Sequence, residues 1–165
     1  MPGGDTWWTA SAAADAARRG LLDHGSTWEL RLARAIQRGH PGAPYLVERL
    51  DRPGRAYFLV PWIEVEGEGA VLLVEVDATS GAMLGVTALS APDPSPLLTS
   101  EQALGCAERD LPGYTFTGCQ LVWQPCREST SPSRPFYRIR HEGGAIYVDM
   151  AGITYQNLTP LGHGG

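Results

Sequence analysis

The chain contains no lysine, and all 13 basic residues among its 165 are arginine. That absence excludes mechanisms built on a lysine side chain, among them a P-loop phosphate clamp, a Schiff-base enzyme and a Ser-Lys hydrolase. No apolar run approaches the roughly 18 residues of a membrane-spanning helix, so no membrane insertion is expected. The net charge of −5 argues against the clustered basic surface that nucleic acid requires. Cysteine is scarce: Cys106, Cys119 and Cys126 make an odd count without CxxC spacing. Small buried or half-buried thiols are expected in a reducing compartment, and one disulfide with a leftover thiol is the alternative for an exported chain. Histidines 24, 40, 141 and 163 show neither i, i+4 nor HxH spacing, so no metal site is expected, and nothing points to a cofactor.

The N-terminal MPGGDTWWTASAAADAARRG lacks the basic and Leu-rich regions of a signal peptide. With Met1 as the native start, a cytoplasmic protein is expected; otherwise, an exported one. At 43% hydrophobic residues the chain suits one compact domain, or two small half-domains sharing a core.

What is present is strand pattern. Arg55–Thr87, RAYFLVPWIEVEGEGAVLLVEVDATSGAMLGVT, reads as three strands, with turns at Gly67–Gly69 and Ala78–Gly81 and a third run over 82–86. If the first turn closes symmetrically, Trp62 faces Val74 and Ile63 faces Leu73. One face then carries Phe58, Val60, Trp62, Leu72, Val74 and Val76, and the other Tyr57, Leu59, Ile63, Val65, Val71 and Leu73. Pro61 marks a bulge or an unpaired edge. A shorter copy, PFYRIRHEGGAIYVDMAGITYQNL, spans Pro135–Leu158, and both copies place a Val-Asp pair before a Gly-containing turn. A Gly143-Gly144 turn in that copy pairs Ile139 with Val148 and Arg138 with Asp149. Its outer face is polar where that of the first copy is apolar.

Helices are expected over Ala10 to about Arg19, ending near Gly20; after a Ser26–Glu29 capping box, ending at Gly39; and after Thr99-Ser-Glu-Gln102. Trp7 and Trp8 are expected to dock on the body. Tyr45–Leu50 and Thr115–Gln124 read as strands, Cys126–Arg134 as a mobile polar loop, and the tail from Thr159 as frayed. Ser90–Pro96 reads as a linker, which gives a first unit over 1–89, a linker over 90–98 and a second, shorter unit over 99–165. The fold class is α+β.

The LTSEQAL helix start, the PFYRIRH strand and the GGAIYVDMAG turn of residues 99–158 resemble a PepSY-like unit, and residues 10–89 resemble an enlarged copy. The resemblance implies two tandem cystatin-like units, each with a helix packed on an antiparallel sheet of three to four strands. It further implies peptidase inhibition or chaperoning, or non-catalytic regulation, and transfers no catalytic residue.

Asp77 and Asp149 could pair as general acid and base, but each sits where a strand enters a turn, and turn chemistry is the stronger reading. Cys106, His141 and Asn157 could be drawn as a thiol triad, but Cys106 lies inside a helix, away from the N-terminus that would activate it. No catalytic residue is therefore assigned. Glu64, Glu66, Glu68 and Glu75 read as an acidic cluster at the first hairpin tip, solvated or steering a cationic partner. The apolar face beside it gives the expected protein-binding set: Tyr57, Leu59, Ile63, Glu64, Val65, Glu66, Val71 and Leu73. The function expected is a non-enzymatic protein-binding module, a peptidase inhibitor or regulator or an assembly partner. The alternatives are a homodimeric structural protein and a small ligand-binding or enzymatic α+β domain.

Overall fold

Alternating apolar runs separated by Gly, Asp and Pro turns produce a strand-rich α+β chain with, among the described residues, three helices and nine short or medium strands. The structure, a computed structural model, describes residues 7–24, 28–67 and 69–162. Two compact units form, one from residues 1–46 and 54–96 and the other from 47–53 and 97–165.

In the first unit, helices α1 (Ala10–Asp23) and α2 (Leu30–Arg38) pack on an antiparallel meander of β3 (Ala56–Glu64), β4 (Ala70–Asp77) and β5 (Met83–Asp93). A short β1 (Gly39–Pro41) pairs antiparallel with β3 on its other side. Thr9 caps α1 by accepting the Ala12 N–H. The helix does not stop at Gly20 but runs through it, and a Cβ there would press within 3.0 Å of the Met83 side chain. Glycine at this position serves packing, so the expected helix end is corrected by three residues, to Asp23. α2 ends before Gly39 as the sequence suggests, and its described N-cap is Glu29, with no side-chain cap. The Ser26 capping box lies outside the described residues.

The core of this unit collects Ala13, Ala17 and Leu21 of α1 and Ile36 of α2 against Phe58, Val60, Trp62, Leu72, Val74 and Val76. These six strand residues are the face expected from alternation. Their register is not. Trp62 pairs with Leu72 and Val60 with Val74, a slide of two residues, followed by a bulge between Trp62 and Ile63. A two-residue slide leaves every side chain on its face. Pro61 does mark an irregular edge: its carbonyl accepts the Gly42 N–H at 2.7 Å, and the β1 ladder ends at Pro41. The N–H that proline lacks therefore falls where pairing stops. Trp8 docks as expected, with its N–H on the Ala78 carbonyl at 2.7 Å and its ring over Gly81.

In the second unit, α3 (Ser100–Asp110) carries the complete capping box: the Thr99 hydroxyl accepts the Gln102 N–H, and the Gln102 side chain accepts the Thr99 N–H. It packs on β6 (Phe116–Trp123), β7 (Phe136–His141), β8 (Gly144–Val148) and β9 (Thr154–Tyr155), an antiparallel meander. The end of β2 (Tyr45–Arg49) adds parallel to β6, through Glu48 with Val122 and Arg49 with Trp123. Ala103, Ala107, Ile139, Ile146 and Val148 form the dry interior, and the Tyr137 hydroxyl donates to the Leu98 carbonyl at 2.8 Å.

The hairpin register also slides by two here. Ile139 pairs with Ile146 and Arg138 with Tyr147, so Glu142 and Gly143 form the turn and Gly144 closes it with φ +141. The expected Arg138–Asp149 pairing is thereby corrected. Arg138 donates to Gln120 Oε1, while the Asp149 carboxylate accepts N–H groups from Ala151 and Ile153 and the hydroxyl of Tyr155.

Two further expectations are corrected. The loop at 126–134 is tied down: Cys126 is fully buried, the Ser129 hydroxyl donates to the Arg134 carbonyl, and Glu128 accepts both the amide and the hydroxyl of Thr159. Those bonds also pin the start of the tail, whose residues 163–165 lie outside the described set. The stretch read as a linker is strand as far as Asp93, because β5 runs 11 residues. Pro92 is tolerated there because the strand is an edge, whose outer N–H groups have no ladder partner to lose.

Candidate functional site

The eight residues of the expected binding face separate into two groups. Tyr57, Leu59 and Leu73 are 2%, 0% and 3% exposed, so they are core and offer no surface to a partner. This corrects the expectation of one apolar face free along the whole hairpin. The distal residues differ: Ile63, Glu64 and Val71 are half-buried, Glu66 is exposed, and Val65 is 70% exposed. Glu66 lies 3.7 Å from Arg38 in an exposed ion pair of small energetic weight. Glu75 is not at the tip, since it pairs with Leu59 and Gly85 along the strands. Glu68 lies outside the described residues.

Glu64 and Val71 line a groove of about 620 Å³ with Leu30, Leu32 and Ala35 of α2 and with Ala88, Leu89 and Pro92 of β5. Its geometry follows from two local features. The C-terminal end of α2 is fastened to the hairpin tip, because the Val65 N–H donates to the Arg38 carbonyl and Trp62 Nε1–H donates to the Ala35 carbonyl. On the opposite wall, β5 leaves regular pairing: Leu72 meets Ala88 and Ala70 meets Asp93, so residues 89–92 all arch past Val71. Irregularities of this kind re-aim side chains and recur near sites. Glu29, Glu64, Arg31 and Arg34 put both signs of charge around an apolar floor.

β5 is also the edge of its meander. Among the described residues no strand pairs with its outer side. From Met83 to Pro92 it carries no ionisable side chain, and Leu84 is 54% exposed. Natural edge strands are commonly blunted by charge, and this one lacks that protection. Sequence reasoning missed the edge because the third run was ended at Val86 and the neutral, Pro-containing continuation was read as a linker. The usable signal was that six residues beyond Val86 are free of charge and of glycine.

The carboxylates read as possible acid–base groups work in turns. Asp77 Oδ1 accepts the N–H groups of Thr79 and Ser80 and the Ser80 hydroxyl, and Asp149 Oδ1 acts alike one turn residue shorter. Gly81 and Gly152 follow them with φ +71 and +82. Cys106 is partly buried on α3, with Sγ 3.2 Å from where a Gly152 Cβ would stand. His141 stacks edge-on against Tyr114 at 4.9 Å, and its Nδ1 accepts the Gly143 N–H. His141 and Asn157 do share a small hollow, but Cys106 does not line it. All three cysteines are free thiols, and burial pushes those of Cys119 and Cys126 up. Among the described residues no three His, Cys, Asp or Glu gather as a metal site, and no helix is long and apolar enough to cross a membrane.

Several carboxyl groups are held below their ordinary range. The Arg49 guanidinium lowers Asp51, and Arg109 with the Thr154 hydroxyl holds Asp110 at about 2. Burial raises Asp77, but the N–H and hydroxyl donors around it outweigh that, and the Thr159 N–H lowers Glu128. A carboxyl group lowered by folding stabilises the folded state above its unfolded pKa, and the contribution is lost as pH falls through the folded value. Resistance to urea is therefore expected to hold from neutral pH to roughly pH 4.5 and to decline from there to about pH 2. A flat urea midpoint across that interval would contradict these assignments.

No family model matches the chain, and no curated protein matches it. Among solved structures, a crystal structure described as a "putative lipoprotein" from Clostridium difficile 630 is similar at 15% identity, covering 76% of this chain and 86% of that one, with a TM-score of 0.28. At that TM-score the likeness carries no argument about fold or function.

Proposed function

We propose that the chain is a non-enzymatic protein-binding module built of two PepSY-like, cystatin-like units. Its ligand is an extended, uncharged segment of another protein, added as a strand along β5. The observation that carries this reading is the unpaired β5 edge, free of ionisable side chains from Met83 to Pro92 and bordering the groove at Ala88, Leu89 and Pro92. Main-chain bonds to an open edge supply affinity, and a neighbouring pocket for alternate side chains supplies selectivity. An uncharged segment fits because no opposing charge on β5 would compensate a buried ionic side chain.

The tandem reading is supported by the recurrence of helix, antiparallel meander and Asp–turn–Gly element in each unit. The resemblance that these features carry implies a peptidase as the owner of the bound segment, with an assembly component as the other candidate. The non-enzymatic part of the reading rests on the structural work the acids already do at their turns.

Ala88 is exposed and lies both on the edge and in the groove, so Ala88→Lys adds the charge that edge strands use to refuse pairing. Compared with wild type in affinity capture from the native cell extract, the variant is expected to keep its melting temperature and to bind its partner roughly tenfold more weakly or worse. Equal retention by both proteins would contradict the reading. Light scattering provides the second arm: a dimer that Ala88→Lys dissociates would make the occupant a second copy of this chain.

A further inference from the structure

We propose that Arg138 and Arg140, in the second unit, form a binding site for a small oxyanion, the carboxylate or phosphate group of a ligand. The two side chains stand two residues apart on β7 and so share one face of the sheet, the face opposite Ile139 and the helix-side core. Facing them on β6 are Gln120, which pairs with Arg138, and Gly118, which pairs with Arg140. Thr117 is bulged out of that ladder between Phe116 and Gly118.

Together these residues line a hollow of about 400 Å³ whose walls are the two arginines, Gln120 and the bulge. The hollow exists because residue 118 has no side chain: a Cβ there would touch nothing nearer than Arg140 Cδ at 3.9 Å. Gln120 Oε1 accepts from Arg138 Nη2 at 2.8 Å and fixes that guanidinium, while the buried Arg138 Nε–H has no acceptor. No carboxylate among the described residues lies within ion-pair distance of either arginine.

A fixed guanidinium beside a second and more exposed one suits an anion with two or more oxygens on one centre, which planar guanidinium groups bind by paired hydrogen bonds. The site is too small and too lightly charged for a polyanion, in a chain of net charge −5. It lies in a different unit from the β5 edge, so its test is independent of strand addition.

The experiment is a two-dimensional amide NMR titration of the whole chain with sodium phosphate and, separately, sodium acetate, with sodium chloride at matched ionic strength as the control. Saturable shifts centred on residues 117–120 and 138–140 are expected with phosphate or acetate and not with chloride, and the tighter anion identifies the ligand group. Arg140→Gln, at an exposed position, is expected to weaken that binding at least tenfold without lowering the melting temperature. Gly118→Val fills the hollow without removing charge and is expected to weaken binding as well. Absence of saturable shifts with both anions, or equal binding by wild type and Arg140→Gln, would overturn the proposal.

Discussion

Leu73→Asp is expected to abolish the cooperative folding of the first unit. Leu73 is 3% exposed, pairs with Pro61 on one side and Thr87 on the other, and sits in the middle of the central strand of its meander. An isolated carboxylate placed there would either stay charged in an apolar environment or be forced to take up a proton, at a cost of several kcal/mol. Typical domain stability is only about 5–15 kcal/mol. Leu73→Ala, which removes volume without adding charge, is expected to cost about 2–5 kcal/mol and leave a folded protein with a lower urea midpoint. Circular dichroism of both variants against urea separates the cases. A Leu73→Asp protein that folds with wild-type stability would return the whole outer hairpin face to the list of free surfaces.

The second large effect is expected at Trp62. Its ring is 1% exposed in the core between α2 and the meander, and its Nε1–H donates to the Ala35 carbonyl at 3.0 Å. Trp62→Ala leaves a cavity, for which about 3–5 kcal/mol is the usual loss, and also strips a helix carbonyl of its donor. Because that bond fastens α2 beside the groove, the variant is expected to lose binding along β5 as well as stability. Gly39→Ala tests the same contact from the other side, since a Cβ at residue 39 would overlap the indole nitrogen of Trp62. If Trp62→Ala melts with wild type, the assignment of this tryptophan to the core is wrong.

How much was legible in the sequence follows from what a period-2 pattern encodes. Alternation assigns side chains to faces, and it placed Phe58, Val60, Trp62 and Val74 together correctly. It does not fix where a turn is centred. Both hairpins slid by two residues, a displacement that keeps every face intact and is therefore invisible to hydrophobicity. The slide nevertheless removed the expected Arg138–Asp149 pair and freed Arg138 to bond Gln120. The Thr99–Gln102 capping box was legible because two side chains and two amides specify each other within one turn. Gly20 was misleading because a packing glycine and a helix stop look the same in sequence.

The candidate site was half visible for a related reason. Glu64 and Val71 were singled out from the hairpin itself, and they do border the groove. The wall from α2 and the long arch of β5 depend on a ladder irregularity between Ala70 and Leu72, which no propensity records. Burial of Tyr57, Leu59 and Leu73 could not be read from alternation, because an apolar face looks the same whether protein or solvent covers it.

The claim that the β5 edge takes a partner's strand is tested most directly by amide hydrogen exchange along that strand, in the free protein and in the complex captured from extract. Strand addition predicts new protection within residues 84–90 on complex formation, lost in Ala88→Lys, with the amides of β4 unchanged. Protection that appears elsewhere while 84–90 exchange as in the free protein would contradict it.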